Sequence, residues 1–176
     1  MSPVEGTLRG FGFEPSAFTA NNFYVNAFFL PLCVPVKRVH FTFGRRIGKQ
    51  KRWSTDDPHL EAALTSEMLS EARFLSGLRR PADLVKALEP LLKRGNPHAR
   101  EAFAYSLIHA GETARALETL GALLNAAEVG VTWQGKIAMR AQLIRDKLLK
   151  DLSQAQKQLR AWEADTVSSL GLSEFR

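Results

Sequence analysis

A chain of 176 residues, 45% hydrophobic and 24% charged, is long enough to bury a core without a disulfide or metal and too apolar for a disordered polymer. Its single cysteine, Cys33, excludes an intramolecular bridge; in the apolar run PLCVP the expected state is a buried, inert thiol, which favours a reducing, cytoplasmic setting. The opening residues lack a basic stretch followed by an apolar one, and the longest apolar run, AFFLPLCVPV, is interrupted by two prolines, so neither a secretory signal nor a membrane span is expected.

Taken in chain order, the first pattern is that of strands. TLRGFGFE reads as a weak strand, because its glycines lower β propensity. NNFYVNAFFL places Phe23, Val25, Ala27 and Phe29 on one face and Tyr24, Asn26, Phe28 and Leu30 on the other. With both faces largely apolar it reads as a central strand. Pro31 and Pro35 predict a rigid turn, after which KRVHFTFG alternates as a strand with Val39, Phe41 and Phe43 inward. A sheet this short on one side leaves room for strands from another chain, which makes a homo-oligomer a candidate assembly.

Beyond Trp53 the period turns helical. Asp57-Pro58, Pro81 and Asn96-Pro97 mark helix starts, and Gly77, Gly95, Gly111 and Gly130 mark ends. The predicted helices cover 58–76, 81–94, 97–110, 113–128 and 133–165, with Pro90 kinking the second. In the last of them Ile137, Ala141, Ile144, Leu148, Leu152, Ala155, Leu159 and Trp162 form one continuous apolar ridge. The expected fold class is α+β: a small antiparallel N-terminal sheet region at 1–53 and an all-helical C-terminal region of about five helices at 54–176, packed as one unit.

The net charge of +6 is concentrated in the first 53 residues, where eight basic side chains face two acidic ones. The remaining 123 residues carry equal numbers of each sign. Most of this excess lies in GRRIGKQKRW, a predicted loop closed by Trp53. Lys37, Arg38, Arg45, Arg46, Lys49, Lys51, Arg52 and Trp53 are therefore the candidate partner-binding or nucleic-acid-binding residues. Exposed Lys and Arg suit phosphates or an acidic protein, an aromatic ring suits base stacking, and the same charges also protect a sheet edge from unwanted pairing.

Catalytic patterns are missing from the sequence. His40, His59, His98 and His109 are not at metal-ligand spacing, Asp56 and Asp57 read as helix caps, and Glu67 and Glu71 as a solvated helix face. The chain contains no G-x-S-x-G, Walker-type or dinucleotide-binding motif. No catalytic residue, cofactor or metal is assigned, and an enzyme is not expected.

Two segments carry resemblances. FYVNAFFLPLCVPVKRVHFTFGRRI, through Pro31, Leu32, Val34, Pro35, Phe43, Gly44, Arg45 and Arg46, resembles a motif of uncharacterised bacterial domains of unknown function. Residues 96–127, through Ala104, Leu107, Gly111, Ala116, Leu120 and Leu123, resemble a tetratricopeptide-type helical hairpin, without that family's opening aromatic and closing proline. The expected function is a non-catalytic protein–protein interaction module of adaptor, chaperone or toxin-neutralising type with a protein partner, an acidic one on charge grounds. The alternative is nucleic-acid binding through 45–53.

Overall fold

The computed structural model of the chain describes residues 6–48, 52–93, 95–127 and 131–175. Among the described residues four strands come first, β1 (Thr7–Pro15), β2 (Asn22–Pro31), β3 (Gly44–Arg46) and β4 (Trp53–Ser54). Six α-helices follow among them, α1 (Leu60–Gly77), α2 (Pro81–Leu92), α3 (Pro97–His109), α4 (Thr113–Asn125), α5 (Thr132–Lys150) and α6 (Leu152–Ser169), and a 3-10 turn at Ser173–Phe175. The α+β class is as expected, with a small antiparallel sheet ahead of the helices. No described helix is long and apolar enough to cross a membrane.

The chain forms two compact units. One holds residues 7–30 and 40–78, the other residues 1–6, 31–39 and 79–176.

In the first unit β2 is central, with β1 on one side and both β3 and β4 on the other. Val25, Ala27, Phe28, Phe29 and Leu30 are buried, as a strand apolar on both faces requires. The pairing carries a long bulge: between Asn26↔Arg46 and Phe23↔Trp53, β2 advances three residues while the opposing chain advances seven. That side of β2 is thus covered by two short strands, β3 and β4, rather than by one. Helix α1 meets the sheet through Arg9, whose guanidinium donates to the carbonyls of Leu75 at 2.7 Å and Leu78 at 3.1 Å. A cation there adds a charged donor at the C-terminal end of α1, where the Leu75 carbonyl also accepts from the Leu78 N–H at 3.2 Å.

KRVHFTFG does not form the predicted strand. Residues 36–43 are irregular, Val39 is exposed, Phe41 is half-buried, and only Phe43 is fully inside. The chain turns back there, with the Gly44 N–H donating to the Phe41 carbonyl at 2.9 Å. Phe41 instead packs on Phe28, ring centres 5.1 Å apart, and over Gly12. A Cβ at Gly12 would stand 2.1 Å from the Phe41 ring, and one at Gly10 would touch the ring of Phe28. The glycines that weaken β1 as a strand are the room these rings occupy.

In the second unit α3 is wrapped by α2, α4, α5 and α6. Nine of its thirteen residues are buried, and Ala99, Ala102 and Ala104 let the neighbouring helices approach closely. Short connections join α2 to α3 and α3 to α4, with Gly95 and Gly111 at positive φ, so each pair forms a helical hairpin. The Asn96 side chain caps α3 by accepting from the His98 N–H at 2.9 Å. The predicted helix 133–165 is two helices. Asp151 adopts an extended conformation, and its carboxylate accepts from the Ser153 N–H at 3.2 Å, capping α6. The expected single ridge is divided: Ile137, Ala141, Ile144 and Leu148 are buried on α5 and Ala155 and Leu159 on α6, Leu152 and Trp162 are half-buried, and the two helices pack on each other. Gly130 lies outside the described residues.

The expected start of the first helix also moves. Asp57 accepts from the His59 N–H at 2.8 Å in a turn ahead of α1, while Asp56 accepts from Asn21 at 3.0 and 3.2 Å. Neither caps the helix directly.

Candidate functional site

The basic segment divides by strand geometry. Arg45 and Arg46 are successive residues of β3 rather than members of a loop, so their side chains leave on opposite faces of the sheet. Arg45 forms a bidentate pair with Glu71 of α1, donating from Nε to Oε2 at 2.9 Å and from Nη2 to Oε1, and lies 5.6 Å from the centre of the Phe74 ring. Glu71 is thus buried in an ion pair, not the solvated residue its helical spacing predicted. On the other face Arg46 lies 3.8 Å over the Tyr24 ring and 3.8 Å from the Glu14 carboxylate. Glu14 also accepts from the side chain of buried Asn26 at 2.7 Å. Both arginines therefore have intramolecular partners.

Trp53 is buried. Its indole N–H donates to the Ile47 carbonyl at 3.1 Å, and the Ile47 N–H donates to the Val25 carbonyl at 2.9 Å. Gly48, at φ +102°, lies so close to the indole that a Cβ there would come within 2.7 Å of the ring. Trp53 thus clamps the two ends of the bulge, and its ring has no free face for a base to stack on. Arg52 is exposed, whereas Lys49 and Lys51 lie outside the described residues. Lys37 and Arg38 are exposed in the segment 31–39, which belongs to the other unit. Within the sheet unit, Arg45 and Arg46 leave on opposite faces and Trp53 is buried, so these three candidates do not share one surface.

The helical unit holds polar groups that local spacing did not reveal. Glu101 is fully buried on α3 and accepts from Arg140 Nε at 2.7 Å and Nη2 at 2.9 Å, and from the Tyr105 hydroxyl at 3.1 Å. Burial first, and then the Glu101 carboxylate, push the Tyr105 phenol well above its ordinary range. Cys33 is buried in the same unit; burial, followed by Glu163 and Glu101, pushes its thiol up strongly. A thiol held protonated is a poor nucleophile. Among the described residues no group of three or more His, Cys, Asp or Glu side chains is placed to hold a metal ion.

An open cleft of about 280 Å³ lies among α2, α3 and α4, floored by Leu92, Phe103 and Ala122. Arg115 stands at its rim, donating to Glu112 at 2.5 Å and Glu89 at 3.3 Å with its guanidinium 5.6 Å from the centre of the Phe103 ring. Its charge is neutralised in place. Comparison with protein-family models, characterised proteins and solved structures finds no match. The functional reading accordingly rests on the chemistry of these surfaces.

Proposed function

We propose that this protein is a non-catalytic interaction module whose partner is another protein. The internal commitment of the basic strand carries this reading: Arg45 is paired with Glu71, Arg46 lies on Tyr24 beside Glu14, and Trp53 is buried. Single-stranded nucleic acid needs free cations along a groove and aromatic rings open to bases, and the strand retains neither. The helical unit, by contrast, leaves apolar side chains exposed, Met139 and Leu143 among them, of the kind a polypeptide partner can cover. Together with the resemblances at residues 23–47 and 96–127, this supports an adaptor, chaperone or toxin-neutralising role of the bacterial type.

Exposed Arg52 favours the second reading, nucleic-acid binding at the bulge. The two are separated by photo-crosslinking in living cells from a photoreactive residue placed at Arg52 or at exposed Leu143. Adducts that resist nuclease and contain a second polypeptide are expected. Nuclease-sensitive adducts at position 52, together with oligothymidine binding that weakens steeply with salt and flattens in an Arg45→Gln, Arg46→Gln, Arg52→Gln variant, would overturn the proposal.

A further inference from the structure

The folded charge is distributed differently from the linear charge. The unit containing the sheet carries seven basic and six acidic residues, whereas the helical unit carries seventeen and twelve. Helix α5 alone contributes five basic residues, Lys136, Arg140, Arg145, Lys147 and Lys150, against Asp146. Its excess of four therefore makes up most of the helical unit's excess of five. Arg140 is used internally by Glu101. Asp146 accepts from Gln142 at 2.7 Å, and no ion pair involves Lys136, Lys147 or Lys150 among the described residues.

These lysines fall into register with apolar side chains. Lys136, Met139, Leu143, Lys147 and Lys150 follow one another at steps of 3, 4, 4 and 3, so they share one side of the helix. Ile137, Ala141, Ile144 and Leu148 occupy the buried side, roughly 130° round the helix axis, and Asp146, one turn from Leu143 and from Lys150, falls on the outer side with the lysines. Met139 is 69% and Leu143 43% exposed, in the middle of a ridge about 21 Å long with lysines at both ends. Exposed apolar groups at the centre of a charged rim have the anatomy of a contact patch.

We infer that the outer ridge of α5 is the docking surface for an acidic amphipathic helix of a partner protein, with apolar side chains over Met139 and Leu143 and carboxylates over the lysines. This rests on the protein-partner reading above and names the partner's chemistry. Charge complementarity selects an acidic occupant, and the placing of Met139 and Leu143 between lysines along one helical stripe selects a helical one. Nucleic acid would gain nothing from Met139 and Leu143. A membrane would receive only two apolar side chains from this ridge, too little for stable insertion. The cleft beside α3 has less to offer a charged partner, because Arg115 there is already paired.

The test uses the full chain and four probes: a helical peptide with a leucine stripe flanked by glutamates, the same peptide with lysines replacing the glutamates, oligothymidine, and phosphatidylcholine–phosphatidylserine vesicles. Amide and methyl resonances report where each one binds. The glutamate peptide should shift signals along 136–150, with affinity falling about tenfold or more in a Met139→Glu, Leu143→Glu variant whose melting is unchanged. A Lys136→Glu, Lys147→Glu variant should transfer preference to the lysine peptide, which a merely structural loss would not do. Unmoved signals at 136–150, or stronger perturbation of this ridge by oligothymidine or vesicles, would overturn the inference. Binding of the glutamate peptide at another surface would also overturn it, while leaving the protein-partner reading intact.

Discussion

Each unit of the molecule contains a forked arginine–glutamate pair, and the two differ in how water reaches them. In the sheet unit the Glu71 side chain is 8% exposed and that of Arg45 65%; in the helical unit Glu101 is completely buried and Arg140 23% exposed. The hydrogen-bond geometry is similar, with two guanidinium nitrogens on two carboxylate oxygens. What differs is the state left behind when the arginine is removed. Glu71 adjoins a guanidinium that stands largely in solvent, so its truncation opens a route for water to the carboxylate. Glu101 would keep only the Tyr105 hydroxyl, inside a helix packed on every side. The penalty of a buried ion pair lies in desolvation, so water access should set the order of effects.

Arg140→Ala should give the largest change, a loss of about 3 to 5 kcal/mol in urea unfolding, because it strands a buried carboxylate. Arg140→Lys should recover part of this, since it restores charge but not the planar fork. Arg45→Ala should cost about 1 to 2 kcal/mol, the value of a charge-assisted bond whose loss water partly repairs. Equal losses at the two sites would show that burial of the carboxylate is not the controlling variable. Tyr105→Phe should be mildest, about 1 kcal/mol, because it removes one neutral donor while Arg140 still satisfies both oxygens of Glu101. A loss as large as that of Arg140→Ala would mean that the phenol, not the guanidinium, holds the carboxylate in place.

Neither pair was legible in the sequence, and the reason is distance along the chain. Glu71 repeats at helical spacing with Glu67 and looks solvated until Arg45, 26 residues earlier, is brought onto α1 by the sheet. Glu101 and Arg140 are 39 residues apart. Features set by near neighbours were easier to read. β2 follows from apolar residues on both faces, α3 from Asn96-Pro97, and its hairpin with α4 from Gly111 and the buried Ala104, Leu107, Ala116, Leu120 and Leu123. The break at Asp151 had a local signal, since Asp151 followed by Gln154 is the spacing of a capping box. The unbroken apolar spacing masked it, because two successive helices can each bury a stripe that keeps the same period in the sequence. The candidate site was legible as charge but not as surface. Alternation along β3 sends Arg45 and Arg46 to opposite faces, and the ridge on α5 emerges only once the buried side of that helix is known.

Gly12 and Phe41 are coupled through volume. The ring, its Cζ foremost, fills the space that a side chain at position 12 would need, so any larger residue there obliges the whole ring to swing away from Phe28. Variation at the two positions should therefore be coupled. Among chains that share this hairpin, a residue larger than glycine at the position of Gly12 should be found only alongside a residue smaller than phenylalanine at the position of Phe41. Such paired exchange in an alignment would record the contact without any coordinates.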